Sequence, residues 1–342
     1  MTVLRFVLVG FLISWLLTTE FPVAIADDAT AVVDSKIETS PATETPIPKN
    51  AESERPPWMS EAEVKRHGWS LAVDIEIIGR DAQGKWASRG SGSILHEDGY
   101  ILTCEHVTAV GETHKVYLGN GKSYDYRVLG RAGGSYDTAI LKIEPKEKLP
   151  CVKLGHSKKV KKGERVMVIG NPDGRRHTVN FGEIEKATCG GGTQIQIGKA
   201  DIREGDSGGP VFNLRGEQIA HVHVKITTLN LTSRHIRVDH TRAAFAKVFM
   251  DESRSDYSLG IKVDCHADEA KVTGVKSDSP AHAAGIRRGD IVLRMDDMQI
   301  REGPHFVLAL LDKVTAEPMT IVVKRGQREI SASVAPRRQS RS

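Results

Sequence analysis

Apolar and polar residues alternate along the segment that begins near residue 69. Leucine, valine and isoleucine occupy positions 71, 73, 75 and 77, and this spacing of two predicts a half-buried β-strand. Gly, Pro, Asn or Asp separates further short segments of this kind. They include residues 92–95, 100–103, 115–118, 139–143, 165–169, 194–197 and 218–224. Many short strands without a long helix predict an antiparallel sandwich or barrel.

Helical patterns occur at both ends of this region. Ser60 and Glu63 have the spacing of a capping box, so a helix is predicted to begin there. A second helix is predicted at about residues 241–250, with Asp239 or Thr241 as its N-cap. The polar stretch 251–256 then separates a second unit, which runs to about residue 336.

This second unit combines strands with two short helices. Pro280 follows Ser279 at the first position of one helix, which Gly285 ends. Gly303 and Pro304 begin the other helix. Strands are predicted at residues 259–263, 272–275, 290–295 and 320–324. The pattern therefore indicates a mainly β domain followed by a smaller α+β domain.

The two ends of the chain differ from both units. A basic residue, an apolar run over residues 6–17 and the small residues Ala24 and Ala26 are typical of an export signal that is cleaved after residue 26. Residues 27–57 have no apolar period and predict a flexible linker. Residues 337–342 are basic and polar, and predict a disordered tail. The mature protein is expected to be exported, with no stable membrane insertion.

Composition narrows the classes of partner. A length of 342 residues with 39% hydrophobic content suits two domains. The net charge of +4 and the aromatic content of 5% give no support for nucleic acid or a membrane surface as the main partner. Four cysteines, at positions 104, 151, 189 and 265, lack the C-x-x-C spacing of metal sites. A single disulfide among the first three remains open.

The segment from Gly205 to Pro210 carries the clearest candidate chemistry. A serine between glycines, Ser207, can place its hydroxyl at the tip of a tight turn while uncovered N–H groups point at a common spot. That arrangement supports acyl transfer, but glycine turns around serine also occur for structural reasons alone. A nucleophilic serine would need a histidine base and a carboxylate that orients it.

Two residues upstream meet this requirement. His106 follows the strand predicted at residues 100–103, and Asp137 precedes the apolar residues 139–141. A carboxylate at the start of a buried strand needs a hydrogen-bond partner, which a histidine N–H can supply. The chain order His, Asp, Ser is that of the chymotrypsin class, whereas the nucleophile elbow of α/β hydrolases requires Ser, acid, His.

Several ordered motifs together resemble the HtrA (Deg) family of exported serine proteases. The similar segments are residues 91–95 with His106 and Val107, residues 136–143, residues 163–172 and residues 205–210. The resemblance covers about residues 69–336. It implies a chymotrypsin-like double β-barrel, the trypsin-like protease domain, over residues 58–250 and a PDZ domain over residues 256–336.

The resemblance also implies roles for individual residues. His106 would be the general base, Asp137 its orienting partner and Ser207 the nucleophile. The backbone N–H groups of Gly205 and Ser207 would form the oxyanion hole. Peptide cleavage by these groups requires no cofactor.

Two features depart from the family pattern. Asp206 stands where the family has Asn; it is expected to be solvated or paired locally, with Arg203 as one candidate, and no zymogen cleavage is expected. The strand that lines the specificity pocket would contribute Ala220, His221 and Val222, and the first two replace more usual residues. A preference for small aliphatic side chains therefore does not transfer safely to this chain.

Two further groups of residues have candidate binding roles. His221 and His223 have the spacing of a metal pair on one strand face, but no third ligand lies nearby in the sequence, so an exposed strand face or a pocket wall is favoured and no metal is predicted. In the PDZ-like unit, Leu259, Gly260 and Ile261 would form the loop that receives a peptide carboxylate. The alternative is that Gly260 only bends a strand.

The sequence thus predicts an exported endopeptidase that cleaves unfolded or damaged proteins and whose PDZ domain binds peptide C-termini. Homotrimers are implied by the family resemblance alone. A proteolytically silent, chaperone-like scaffold that binds peptides is the alternative from another class. An exported esterase that uses the same serine is a third, which the PDZ-like unit disfavours.

Overall fold

The structure is a computed structural model that describes residues 58–108, 111–227, 232–251 and 255–339. All of these residues fall within one compact unit, residues 55–342. The predicted export signal (residues 1–26) and linker (residues 27–57) lie outside the described residues. No helix in the described part is long and apolar enough to span a membrane.

The first described element is the helix α1, Glu61–Trp69. The predicted capping box is present, because the Ser60 side chain accepts a hydrogen bond from the Glu63 N–H and the Glu63 carboxylate accepts one from the Ser60 N–H. Val64 is fully buried under the helix. Local sequence alone therefore fixes where α1 begins.

Seven strands form the first sheet. They are β1 (Ala72–Asp81), β2 (Gly84–His96), β3 (Tyr100–Thr103), β4 (Thr113–Leu118), β5 (Ser123–Asp125), β6 (Arg127–Ala132) and β7 (Thr138–Lys142). The strand order is β5-β4-β1-β2-β3-β7-β6, with antiparallel neighbours. The expectation that β1 is only half-buried is wrong in its first half, because Asp74 is buried in a pair with His177, with 2.7 Å between the Asp74 Oδ2 and His177 Nδ1 atoms.

Seven further strands form the second sheet. They are β8 (Lys153–Leu154), β9 (Arg165–Gly170), β10 (Thr178–Cys189), β11 (Gln194–Gly198), β12 (Pro210–Asn213), β13 (Glu217–Thr227) and β14 (Thr232–Arg237). The order is β12-β9-β10-β11-β14-β13-β8, and β12 also pairs with β13. This extra pairing closes the second sheet into a barrel. Its interior is filled by apolar residues such as Val166, Ile197 and Val211.

The helix that follows the second sheet starts earlier than predicted. The structure has α2 at Val238–Ala244, continued by a π-helical segment at Phe245–Phe249. Neither Asp239 nor Thr241 is its N-cap, because β14 runs directly into the helix with Arg237 at the cap position. Asp239 instead accepts hydrogen bonds from the Ser157 hydroxyl and the Lys158 N–H.

The last unit has two short helices and eight strands. The helices are α3 (Pro280–Ala283) and α4 (Gly303–Asp312). The strands are β15 (Tyr257–Ser258), β16 (Ile261–Val263), β17 (Val272–Val275), β18 (Ile291–Met295), β19 (Met298–Gln299), β20 (Met319–Arg325), β21 (Arg328–Val334) and β22 (Arg337–Arg338). The predicted disordered tail, residues 337–342, is wrong at its start, because β22 pairs with β15.

The last unit packs against the first sheet through α4. The Tyr100 hydroxyl on β3 donates a hydrogen bond to the Asp312 carboxylate at the end of α4, with 2.7 Å between the oxygens. The His305 ring on α4 lies 3.1 Å, Nε2 to O, from the Leu95 carbonyl on β2. Buried apolar residues of both units belong to one continuous core cluster. We call this contact the α4 interface.

Arg242 on α2 lies at the centre of a second contact with the last unit. Its side chain is fully buried and forms an ion pair with Glu302, with 2.6 Å between the Nη2 and Oε2 atoms. The same guanidinium donates hydrogen bonds to the carbonyl oxygens of Leu154 and Cys265, at 3.1 and 2.9 Å. One cation thus joins three segments that are distant in the sequence.

Candidate active site

His106 and Asp137 are brought together by the pairing of two strands. β3 and β7 are antiparallel, with Thr103 opposite Ala139, so the end of β3 lies beside the start of β7. His106 occupies a 3₁₀ turn just after β3. Its Nδ1 atom is 2.8 Å from Asp137 Oδ2, and its backbone N–H donates to Asp137 Oδ1 at 3.1 Å. The predicted partnership of these two residues is present in the structure.

The Asp137 carboxylate is buried and remains ionised. Burial alone would raise its pKa, but hydrogen bonds from the ring and backbone of His106 outweigh burial and lower the pKa below the ordinary aspartate value. Its backbone has a φ angle of +37°, a conformation that is uncommon for residues other than glycine. Such strain persists where the surrounding structure enforces it, and it clusters at functional sites.

Ser207 lies in a glycine turn that the second barrel presents to the first sheet. Gly205 and Gly208 have φ angles of +96° and +86°, and a Cβ atom on Gly208 would lie 2.2 Å from the Ser91 carbonyl oxygen. Ser91 on β2 fixes the turn: its N–H donates to the Ser207 carbonyl and its hydroxyl donates to the Gly205 carbonyl, both at 2.8 Å. The turn therefore requires glycine and is held across the two sheets.

The Ser207 hydroxyl does not bond to His106 in this conformation. Among the described residues its hydrogen-bond partner is the carbonyl oxygen of His223, 3.5 Å from Oγ. Ser207 is half-buried and the His106 side chain is 48% exposed, so solvent reaches both residues.

The N–H groups of Gly205 and Ser207 have no protein acceptor in the described part of the chain. The neighbouring N–H groups are used inside the turn: that of Gly208 donates to the Val222 carbonyl and that of Gly209 to the Asp206 carbonyl. Two unused donors beside a serine hydroxyl are the arrangement that an oxyanion hole requires.

Asp206 is buried, so the expectation of a solvated side chain is wrong. Local pairing with Arg203 is present, but through the backbone: the Arg203 N–H donates to Asp206 Oδ2 at 2.8 Å. The guanidinium of Arg203 instead pairs with Asp201 and Asp173. The Oδ1 atom of Asp206 has no partner in the described residues. Burial raises the pKa of Asp206 to about 7, and the Arg203 N–H opposes this shift only in part.

This raised pKa predicts a pH-dependent stability. The unfolded chain loses the Asp206 proton near pH 3.8 and the folded chain keeps it to about pH 7, so this group makes the free energy of unfolding fall as the pH rises through that window. In Asp206→Asn this decline is absent. The stability of the variant relative to wild type should increase by on the order of a few kcal/mol between pH 4 and pH 7.5.

Urea unfolding followed by circular dichroism at a series of pH values measures this difference. Asp125→Asn, which changes an exposed aspartate on β5, is the control and should keep the wild-type pH profile. Parallel profiles for Asp206→Asn and wild type would contradict the prediction.

The residues predicted to line the specificity pocket have buried side chains. Ala220, His221 and Val222 are all at most 1% exposed, and Ala220 and Val222 belong to the core of the second barrel. The interpretation of this strand face as exposed is wrong for His221, whose ring contacts the Asp137 carbonyl oxygen and the Thr241 hydroxyl, each at 3.4 Å. The assignment of these residues to a pocket stays a prediction.

Sequence reasoning did not place His223 beside the candidate catalytic pair. Its Nε2 atom lies 3.4 Å from Asp137 Oδ2, so one carboxylate oxygen faces the rings of both His106 and His223. A register shift between Val222 and Val224 sets this position on β13. One ligand atom from each of Cys104, His106 and Asp137 lies within 4.8 Å of the others, and neither His221 nor His223 belongs to this group.

All four cysteines are free, so the open question of a disulfide among Cys104, Cys151 and Cys189 is answered for this structure. Cys104 is fully buried beneath the candidate site, with its thiol donating to the Val222 carbonyl at 3.1 Å. Burial, followed by the negative charge of Asp137, raises the pKa of Cys104. The thiol is therefore protonated in this structure.

The predicted peptide-binding loop lies between β15 and β16. Leu259 and Ile261 are buried, and Gly260 has a φ angle of +73°. The carbonyl oxygens of Leu259 and Gly260 accept hydrogen bonds from the Ala281 and Lys276 N–H groups at 3.1 and 2.9 Å. The loop is thus fixed against the start of α3. β16 pairs only with β17 within the described residues.

Comparison with known proteins defines the class of protein. The family model for the trypsin-like peptidase domain matches residues 90–220, and that for the PDZ domain matches residues 258–335. The chain therefore contains a trypsin-like peptidase domain followed by one PDZ domain.

Curated proteins with similar sequences are named as serine proteases. Serine protease HTRA1 of Xenopus laevis is 28% identical over 281 residues, which cover 73% of this chain and 60% of that protein. A probable periplasmic serine endoprotease DegP-like of Pseudomonas putida (strain W619) is 30% identical over 275 residues, which cover 73% of this chain and 56% of that protein. This chain is similar in sequence to the HtrA and DegP serine proteases. It spans about 60% of the length of these relatives.

A solved structure of the HtrA-type protease AlgW with a tripeptide superposes with a TM-score of 0.50 at 23% sequence identity. The match covers 83% of this chain and 98% of that one. At this identity the likeness concerns the fold, and it confirms the predicted fold class.

Proposed function

We propose that this chain is an exported serine endopeptidase that cleaves unfolded or damaged proteins. The observation that carries the proposal is the contact between His106 and Asp137, 2.8 Å from Nδ1 to Oδ2. Asp137 orients the His106 ring and stabilises its charged form, while the other ring nitrogen remains available to take the proton of the Ser207 hydroxyl. The residue roles are those that the HtrA resemblance implies.

The chemistry follows from these positions. Ser207 Oγ attacks the peptide carbonyl carbon as His106 takes the hydroxyl proton, and the carbonyl oxygen becomes an oxyanion. The N–H groups of Gly205 and Ser207 stabilise that charge. His106 then gives its proton to the leaving amine, which leaves an acyl-enzyme that water hydrolyses. The first step requires the Ser207 side chain to rotate from the His223 carbonyl towards His106.

The PDZ domain supplies a second binding site in this proposal. A peptide C-terminus binds with its carboxylate at the loop of Leu259, Gly260 and Ile261 and adds a strand beside β16. In the part of the chain that the structure describes, one edge of β16 has no strand partner, which supports this mode.

The proposals that the protein is exported and that it cleaves unfolded proteins are supported by the sequence and by its relatives, not by the geometry of the site. The sequence of residues 1–26 and the periplasmic DegP-like relatives support an exported protein. Unfolded polypeptides as substrates, and a homotrimer as the assembly, rest on the family resemblance.

A proteolytically silent scaffold that binds peptides is the second candidate. It is favoured by one observation: the Ser207 hydroxyl contacts the His223 carbonyl oxygen and not His106. If this conformation persisted when polypeptide was bound, the nucleophile would stay inactive.

Digestion of casein by the purified full chain tests both candidates, with Ser207→Ala as the control for contaminating protease. Cleavage by wild type that Ser207→Ala lacks supports the endopeptidase. Equal, negligible cleavage by both proteins, together with retained binding of peptide C-termini, supports the scaffold. Equal, substantial cleavage by both would assign the activity to a contaminant and contradict the role of Ser207.

A further inference from the structure

The loop that carries Asp137 has an unfavourable backbone conformation. Asp137 and Gly134 have φ angles of +37° and +63°, and for a residue with a side chain such an angle persists only where neighbouring contacts hold it. The hydrogen bonds from His106 hold the Asp137 carboxylate, not the backbone to which it is attached. Groups that hold this backbone therefore also set where the carboxylate lies.

The helix α2 holds the loop just before Asp137. The His240 ring on α2 lies 3.0 Å, Nε2 to O, from the Ser135 carbonyl oxygen, and because a carbonyl oxygen only accepts, Nε2 is the donor. The same ring stacks on Tyr136, with 4.5 Å between the ring centroids and 17° between the ring planes. One side chain of α2 thus contacts both residues that precede Asp137.

A second contact from α2 reaches the Asp137 backbone through His221. The fully buried His221 ring lies 3.4 Å from the Asp137 carbonyl oxygen at Nε2 and 3.4 Å from the Thr241 hydroxyl at Nδ1. Nε2 donates to the carbonyl oxygen, so Nδ1 of the neutral ring accepts from Thr241, whose hydroxyl is also 3.3 Å from the Arg237 carbonyl oxygen. Burial lowers the pKa of His221 to about 4, which keeps the ring neutral near pH 7.

The turn of α2 that makes these contacts is fixed on both sides. Asp239 accepts a hydrogen bond from the Ser157 hydroxyl at 2.6 Å, and the fully buried Arg242 pairs with Glu302 of the PDZ domain. The four consecutive side chains of residues 239–242 thus each contact a different segment of the chain. A turn held in this way is a rigid support for the two contacts between its ends.

We propose that His240 and Thr241 are positioning residues for the Asp137 carboxylate. His240 acts through the loop backbone, and Thr241 acts through the His221 ring. Together they keep the carboxylate where it orients the His106 ring. Their effect on peptide cleavage rests on the proposed endopeptidase function, whereas their effect on the contact between Asp137 and His106 does not.

Replacing His240 with Leu tests the first contact, because it removes both the donor to Ser135 and the ring on Tyr136. The kcat for peptide cleavage should fall by about tenfold or more with little change in KM, since a displacement of about 1 Å in a catalytic group costs on the order of 10²-fold in rate. His240→Gln retains an N–H donor and should recover most of kcat. A loss confined to KM, or equal losses of kcat in the two variants, overturns the proposal.

His114→Leu is the matched control. His114 is also a half-buried histidine whose ring contacts a tyrosine, Tyr126, with 5.5 Å between the ring centroids. It lies on β4, which β1, β2 and β3 separate from β7 in the first sheet, so kcat should stay within about twofold of the wild type. Matching circular dichroism spectra would show that the variants are folded. An equal loss of kcat in His114→Leu and His240→Leu would contradict a specific role of His240.

A pair of substitutions at Thr241 tests the second contact. Thr241→Val keeps the shape of the side chain but removes the hydroxyl, so Nδ1 of the buried His221 ring loses its partner and kcat should fall by about threefold or more. Thr241→Ser keeps the hydroxyl and should recover most of kcat. Unchanged kcat in Thr241→Val would overturn the role of Thr241.

Proton NMR decides the proposal without any need for cleavage. In full-length Ser207→Ala protein, the His106 Nδ1 proton in its hydrogen bond to Asp137 should give a downfield signal that exchanges slowly with solvent. Adding His240→Leu should move this signal upfield and make it exchange faster, whereas adding His114→Leu should leave it unchanged. An identical signal in all three proteins, or no signal in the parent, overturns the proposal.

The signal is assigned by its loss when His106→Gln is added to the same parent, because the buried pair of His177 with Asp74 contains a similar hydrogen bond. If the wild type does not cleave casein but the assigned signal responds to His240→Leu, the proposed function fails and the positioning role stands. If casein is cleaved and the signal does not respond, the positioning role fails and the proposed function stands.

Discussion

Replacing Asp137 with Asn is expected to lower kcat for peptide cleavage by about 10⁴-fold while changing KM little. In the wild type, Asp137 accepts hydrogen bonds from both the ring and the backbone N–H of His106. An Asn amide turned with its nitrogen towards the ring would donate to Nδ1, so the proton of the neutral imidazole would lie on the nitrogen that must act as base. Asn and Asp side chains have nearly the same volume, so the substitution should not disturb the packing around residue 137 and substrate binding should persist.

Steady-state kinetics on a peptide substrate measure this loss. Asp125→Asn is the control, because it alters an exposed aspartate on β5 and should retain wild-type kcat. Matching circular dichroism spectra would confirm that both variants are folded. A decrease in kcat of less than about tenfold for Asp137→Asn would show that Asp137 does not orient the catalytic base.

Replacing Arg242 with Met is expected to lower the free energy of unfolding by about 3–5 kcal/mol. Arg242 is the charged partner of the buried Glu302 and a donor to the carbonyl oxygens of Leu154 and Cys265. Burial already raises the pKa of Glu302. Without the guanidinium its carboxylate would be a buried charge whose remaining neighbour, the His305 ring at 3.6 Å, is kept neutral because burial lowers its pKa. The two carbonyl groups would also lose a donor.

Chemical denaturation followed by circular dichroism measures this change. The double variant Arg242→Met/Glu302→Met should be more stable than Arg242→Met alone, because it also removes the orphaned carboxylate. An exposed ion pair, Lys115 with Asp125, offers the control: Lys115→Met should change stability by less than about 1 kcal/mol. If the losses of the two single variants simply add in the double variant, the residues do not act as a pair.

Elements whose signals are local were predictable from the sequence. The capping box at Ser60 and the proline at the start of α3 use groups within one helical turn. β10 was missed because register shifts interrupt its pairing with β11 between Ile184 and Cys189, and a shifted strand loses the spacing of two. β21 was missed although residues 330, 332 and 334 are apolar at that spacing, because charged residues begin the strand.

The chain order of His106, Asp137 and Ser207 predicted the candidate catalytic residues but not their neighbours in the site. His106, Asp137 and Ser207 each follow or precede a strand, and the resemblance supplied their roles. The contact of His223 with Asp137 depends on how β13 meets the first sheet after a register shift, which no local pattern encodes. The buried pairs Asp74 with His177 and Arg242 with Glu302 join residues 103 and 60 positions apart. Such pairs cannot be predicted from a short segment of sequence, because the two partners lie in different segments.

The Arg242 contact also bears on how such proteins can be assembled from parts. The peptidase and PDZ regions are separate modules by sequence comparison, yet a guanidinium from one neutralises a carboxylate in the interior of the other. A recombination event that joined this peptidase region to a foreign PDZ domain would leave an arginine with no counter-charge. The unit that recombination can exchange is therefore the peptidase and PDZ regions together, because the buried charge of Glu302 in one is balanced by Arg242 in the other.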